Sequence, residues 1–203
     1  MPQQERGQRR VTALLSAAES VVAEVGYQAA TMSAIAERAG APIGSLYQFF
    51  PNKVAITRAL RTWYGKQFQG VLSFLDEDSG ALTIKSFVNQ LIDSTISFVE
   101  SHPAFVPLLD APSETRSPAS IRHLLRERVA EFFMARKRRL SKQKAIRLAT
   151  VTLQILRALN QLYAEAQPRE RQHVVQEFKV VLLCYLTSQI GPGQPSRPEF
   201  NRK

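Results

Sequence analysis

The chain carries a single cysteine, Cys184, so no disulfide can form within it. Its apolar neighbours in Val180-Val181-Leu182-Leu183-Cys184-Tyr185-Leu186 predict a small buried hydrophobe rather than a redox group. Histidine is scarce too: His102, His123 and His173 stand far apart, and no metal-ligand spacing, phosphate loop or nucleophile elbow is present. An enzyme, a metal site and a cofactor are therefore not expected. No stretch approaches the ~20 unbroken apolar residues of a membrane span, and the start, Met-Pro-Gln-Gln-Glu-Arg-Gly-Gln-Arg-Arg, holds no apolar signal core. The expectation is a soluble, cytoplasmic protein without membrane insertion. Alternating strand patterns and internal repeats are missing as well, so 203 residues with 44% hydrophobic content must build their core from helices.

Acid is in short supply. Lysine and arginine number 27 against 17 aspartates and glutamates, and a net charge of +10 favours a polyanionic partner. The surplus is spread along the chain. Residues 1 to 62 hold seven basic and four acidic side chains, and the rest hold twenty and thirteen. Charge thus supports nucleic-acid binding without establishing it, and a motif must carry that reading.

Glycine and proline punctuate the chain at helix boundaries, because both are costly inside helices. Val11, Leu14, Leu15, Ala18, Val22 and Val25 form the stripe of a first helix from about Arg9 to Val25, which Gly26 ends. Thr31 caps a second helix with Ile35, Ala36 and Ala39 inward, and Gly40 ends it before Pro42 and Ile43 open a third. Asn52 caps a fourth that reaches about Leu75, and the acidic turn from Asp76 to Gly80 stops it. Helices follow over about 82–100, 103–109, 117–139, 141–166 and 168–190, giving an all-α fold of about nine helices. The tail after Ile190, rich in glycine and proline, is predicted to be disordered.

Two short helices joined by Ala-Gly-Ala-Pro between Thr31 and Lys53 are a helix-turn-helix. In the second of them Leu46 and Phe50 share one face for packing, which leaves Ser45, Gln48 and Phe49 outward. Gly44 lets the backbone approach a phosphate closely, Gln48 suits the paired groups of adenine, and Phe49 suits a thymine methyl. Lys53 and the Tyr47 hydroxyl suit phosphates, although Tyr47 also fits the small core.

Thr31 to Lys53 resembles the DNA-binding signature of the TetR family of bacterial transcriptional regulators. The resemblance rests on the Thr cap, Ile-Ala-x-x-Ala-Gly, x-Gly-Ser-Leu-Tyr-x-Phe-Phe and the Phe-x-x-Lys step, and it covers roughly residues 9 to 60. Carried over by position, it implies DNA contacts from Thr31, Pro42, Gly44, Ser45, Tyr47, Gln48, Phe49 and Lys53. Pro42 departs from the usual Ser or Thr cap, and Phe49 from the common Tyr or His, which bears on one phosphate contact each. The resemblance implies a helix-turn-helix DNA-binding domain over 1–51, a helical ligand-binding and dimerisation domain over 52–190, and the tail 191–203. It implies a homodimer on a near-palindromic double-stranded operator, released by a small, largely hydrophobic effector. An effector-independent regulator, an activator, and a helical interaction protein without specific DNA binding are the alternatives.

The helix from Ser141 carries two apolar stripes, one through Ile146, Ala149, Leu153, Leu156 and Tyr163 and the other through Leu148, Val151, Ile155, Leu159 and Leu162. One stripe covers its own domain. The expected dimer interface takes Leu153, Leu156 and Tyr163 with Phe178, Leu182 and Tyr185 of the last helix. The resemblance implies an effector pocket among the middle helices, lined by Trp63, Phe87, Leu91 and Thr95 together with Phe98, Phe105, Leu109 and Phe133, each of which taken alone reads as core packing. Arg136, Lys137, Arg138, Arg139, Lys142, Lys144 and Arg147 remain as a dense basic cluster at a helix-helix turn. Favourable charge at a helix C-terminus accounts for two of the seven. The resemblance places this turn away from the DNA, leaving an acidic effector, protein or membrane surface as its partner.

Overall fold

The computed structural model describes residues 2–77, 82–109, 111 and 121–191, with the side chains of 2–4, 69, 76–77, 109 and 121–122 excepted. Among them the chain is helical throughout: α1 (Pro2–Ala29), α2 (Met32–Arg38), α3 (Ile43–Phe49), α4 (Lys53–Val71), α5 (Phe74–Glu77), α6 (Ile84–Ser101), α7 (Phe105–Leu109), α8 (Ile121–Arg136), α9 (Lys142–Glu165) and α10 (Pro168–Ile190). α5 is a single turn, which leaves nine helices of greater length among the described residues.

Most boundaries follow local chemistry. Thr31 Oγ1 accepts from the Ala34 amide and Asn52 Oδ1 from the Ala55 amide, so two of the expected N-caps are made. Thr83 and Ser141 cap α6 and α9 in the same way. Three ends differ from expectation, the first being that of α4, which stops at Val71 rather than Leu75, with Leu72 and Ser73 turning the chain into α5. α1 begins at Pro2 rather than Arg9, because nothing in Gln-Gln-Glu-Arg-Gly-Gln opposes a helix strongly enough to stop it growing outward from its buried part. Gly26 still breaks it, at φ 75° and ψ 166°, a conformation that a side chain would strain. α8 ends at Arg136, so Arg138 and Arg139 lie in the turn before α9. The start expected for α8 at Ser117-Pro118, the end of the acidic turn and the tail from residue 192 lie outside the described residues.

The chain forms two compact units, Met1–Phe68 with Phe98–Thr115, and Gln69–Ser97 with Arg116–Lys203. In the first, Leu14, Val21, Val22, Ile35, Leu46, Ile56 and Leu60 form the core. Tyr64, Phe68, Phe98, His102 and Phe105 add an aromatic cluster, with His102 stacked on Phe98 at 4.2 Å and Trp63 at its edge, 5.6 Å from the imidazole. α4 runs antiparallel to α1, since Lys53 meets the end of α1 and Tyr64 meets Glu19 further back. Arg6, Arg9 and Arg10 are therefore carried toward the later part of α4 and away from Lys53.

The core of the second unit is built from Ile84, Phe87, Leu91, Ile92, Val129, Phe133, Ala145, Ala149, Leu159, Leu182 and Leu186. Phe87 stacks on Phe132 at 4.5 Å and meets the Phe133 ring edge-on at 5.6 Å. The Lys179 ammonium pairs with Asp93 at 2.6 Å, fastening α10 to α6.

Candidate nucleic-acid interface

The head of the first unit is built so that α3 turns its short apolar face inward. Leu46 is fully buried and Phe50 nearly so, while Gly44, Tyr47, Gln48 and Phe49 are exposed and Ser45 is half-buried. Of the two readings of Tyr47 the structure takes the outward one, at 49% exposure. Uncovered aromatic surface of this kind beside an exposed glutamine is costly in water unless a partner covers it. α2 is pinned beneath by a bidentate pair, Arg38 to both oxygens of Glu24 at 2.6 Å, whose hydrogen bonds hold the Glu24 carboxyl below its usual pKa.

Gly44 is informative because the fold does not need it. Its φ is not positive, and a Cβ built there meets nothing within 4 Å. Inside a helix a glycine costs up to about 1 kcal/mol relative to alanine, and alanine fits this position without strain, as it does at Gly7 and Gly70. Gly44→Ala is expected to leave the thermal midpoint unchanged or raise it while weakening binding to duplex DNA. Paired melting and fluorescence-anisotropy measurements check that opposition of signs.

Lys53 has more work than the sequence showed. Its ammonium donates to the carbonyls of Tyr27 and Gln28, each at 3.0 Å, and lies 4.6 Å from the centre of the Tyr27 ring. Both carbonyls lie in the last turn of α1, where no intrahelical donor remains for them, and a cation there meets the negative end of the helix. Two of the three ammonium protons are thus engaged, and one is left for a phosphate. Further along α4, Arg61 donates to the carbonyls of Leu108 and Ala111, the first at 2.6 Å, at the end of α7. Neither set of acceptors is visible in the sequence, because both are backbone atoms. The Tyr64 hydroxyl donates to Glu19 at 2.6 Å, and burial followed by that bond pushes its pKa far above the ordinary phenol value.

Thr31 and Pro42 stand exposed at the first turns of α2 and α3, and Pro42 makes no side-chain cap. All eight residues expected at the DNA therefore belong to the first unit, within or beside α2, α3 and the start of α4.

The sequence pattern described as "Bacterial regulatory proteins, tetR family" matches residues 14–60, and that described as "Tetracyclin repressor-like, C-terminal domain" matches residues 83–186, more than half of the chain. The chain belongs to the TetR family. This is a family of DNA-binding transcription regulators and not of enzymes. Over 69 residues the chain is 36% identical to the HTH-type transcriptional repressor KstR of Mycolicibacterium smegmatis, a match covering 34% of this chain and 30% of KstR. A TetR-family transcriptional regulator from Streptomyces coelicolor superposes with a TM-score of 0.68 at 26% identity, over 89% of this chain and 99% of that one. NalD of Pseudomonas aeruginosa, the secondary repressor of the MexAB-OprM multidrug efflux pump, shares the fold, with a TM-score of 0.58 at 17% identity over 84% and 95% of the two chains. No described helix of this TetR-family chain is long and apolar enough to cross a membrane.

The interface residues expected on the last two helices need correction. Leu156, Tyr163 and Leu182 are already buried within one chain, so they cannot be the surface offered to another. Periodicity finds two apolar stripes on α9 but does not say which faces home. The inward face takes Ala145, Ala149, Thr152, Leu156 and Tyr163 together with Leu148 and Leu159 of the second stripe, which leaves Val151, Ile155, Ala158 and Leu162 outward. On α10 the exposed apolar residues are Val180, Val181 and Cys184. Cys184 is thus not the buried hydrophobe its neighbours suggest, since Leu182 and Leu186 face inward and it does not. Leu153, Phe178 and Tyr185 are half-buried and stay available.

The residues expected around an effector fall into two groups. Trp63, Phe98 and Phe105 belong to the aromatic cluster of the first unit, and Phe87, Leu91, Thr95 and Phe133 to the core of the second. The side chain of Leu109 lies outside the described residues. Thr95 turns its hydroxyl to the Leu91 carbonyl at 2.6 Å, so it is a satisfied core threonine.

Proposed function

We propose that the protein is a homodimeric, cytoplasmic repressor that holds a near-palindromic operator through α3 and releases it when a small, largely hydrophobic effector binds its helical domain. The observation that carries the DNA-reading part is the division of α3 and its C-cap into a buried face, Leu46 with the capping Phe50, and an exposed one, Gly44, Tyr47, Gln48 and Phe49. On this reading Gln48 and Phe49 meet base edges in the major groove, while Thr31, Ser45, Tyr47 and Lys53 meet phosphates. Pro42 contributes backbone and shape only, having no hydroxyl to offer. A single seven-residue helix reads few bases, and two heads about one DNA turn apart, ~34 Å, read enough of them.

The outward stripes of α9 and α10 support the dimer, because Val151, Leu162, Val180 and Val181 are each more than a third exposed on adjacent helices. Support for an effector comes from the inward face of α9. The Thr152 hydroxyl and the Asn160 side-chain carbonyl are buried there with no hydrogen-bond partner among the described residues. Such atoms cost about 1–3 kcal/mol each, which a ligand supplying the missing bonds recovers. The response is read out by α4, which carries Lys53 beside the head and Trp63, Tyr64 and Phe68 in the aromatic cluster. About 2.7 kcal/mol of coupling weakens operator binding a hundredfold.

Selection of purified protein on random duplexes at moderate salt tests the reading. A recovered near-palindrome is the expected result. Sequence-independent binding alone would remove the repressor from consideration.

A further inference from the structure

Seven cations and no acid occupy residues 132–147, and this stretch equals the whole positive surplus of residues 63–203. The structure explains only part of it. Arg136 lies 5.3 Å from the Phe132 ring at the end of α8, and the Lys137 ammonium donates to the Gln189 carbonyl at 2.8 Å. Arg138, Arg139, Lys142 and Arg147 are exposed, and Lys144 is half-buried. Lys142 approaches an acid, Glu127, at 4.0 Å. Lys142, Lys144 and Arg147 stand in the first turns of α9, the positive end of a 24-residue helix with no acidic residue in its first turn. Cations there oppose the helix dipole, so this placement works against the fold, and a fold-stabilising role does not account for it.

We propose that this surface binds the phosphate backbone of a second duplex segment, separate from the one read by α3. Three observations select that partner. The interspersed residues offer no exposed apolar anchor for a membrane and no exposed apolar centre for a protein interface: Leu140 and Ala145 are buried, Ile146 is half-buried, Ser141 caps α9, and Gln143 is polar. Arginines make up three of the four exposed cations, and their forked donors fit phosphate oxygens. No exposed aromatic side chain lies among them to stack on bases, so recognition rests on charge alone and is independent of sequence.

The test compares full-length protein with a variant carrying R138Q, R139Q, K142Q and R147Q and with a separate Q48A/F49A variant. Each is titrated with a duplex of arbitrary sequence, about three helical turns long, across a salt series. Protein held on its selected operator on beads is then offered a second, labelled duplex. The four-glutamine variant should keep the selected sequence and fold with an unchanged or higher melting temperature. Its salt slope should fall by about 0.9 for each phosphate that it no longer neutralises, and it should fail to capture the second duplex. The Q48A/F49A variant should lose sequence preference but keep the salt-sensitive binding, so failure of the operator reading and failure of this one look different. An unchanged slope with undiminished capture overturns the proposal. So does binding of vesicles containing phosphatidylglycerol by the parent when capture of the second duplex is absent.

Discussion

Glutamate at both Val151 and Val181 is expected to give a folded monomer that binds the operator at least a hundredfold more weakly than the parent. Both side chains are exposed, at 39% and 52%, on the outward faces of α9 and α10, so the substitutions remove nothing from the core of the unit that carries them. Placed in a self-complementary interface, each charge is buried twice, once in each copy, without a partner. The DNA effect follows from linkage. A second head already tethered at the right spacing strengthens binding by about 10²–10⁴ over one head alone, and a monomer forgoes that factor. Sedimentation velocity reads the assembly state, thermal melting the fold, and anisotropy on the selected operator the affinity. A protein that remains dimeric would place the interface elsewhere than on these two stripes.

Gln48→Ala should leave stability alone and cost the dimer several kcal/mol of operator affinity. The side chain is exposed and shares no hydrogen bond with the rest of the described chain, so truncation frees rather than strands its surroundings. A bidentate pair with adenine is worth about 1–3 kcal/mol of discrimination, and a palindrome counts it twice, so the loss spans roughly 30-fold to 10⁴-fold. The more telling readout is sequence. Selection with the variant should return the same near-palindrome with one position in each half-site relaxed. A uniform fall across all positions would mean that Gln48 meets phosphate instead.

The fold and the head are legible in the sequence for different reasons. Caps and breakers act on their own few residues, so Thr31, Gly40, Asn52, Ser141 and Pro168 reveal their helix ends directly. The division of α3 is also readable, because a seven-residue helix has room for only one buried face. α9 is harder. Its two stripes are equally apolar, and only the positions of α8 and α10 decide which is covered. Cys184 escapes sequence reasoning on the same account, since a run of apolar neighbours says nothing about direction around a helix. The second duty of Lys53 and the reach of Arg61 lie beyond it too, because their partners are carbonyl oxygens common to every residue type.

Backbone partners let this helix keep its attachment as sequences drift. α4 is fastened at its start by Lys53 to the carbonyls of Tyr27 and Gln28, and again by Arg61 to those of Leu108 and Ala111. Only the donor side of each fastening is spelled by a side chain. Positions 27, 28, 108 and 111 can exchange one residue for another and still present the same oxygen atoms, provided the chain keeps its course. Two inherited letters thus hold α4 at two points, and relatives that have diverged widely in α1 and α7 can retain its attachment unchanged.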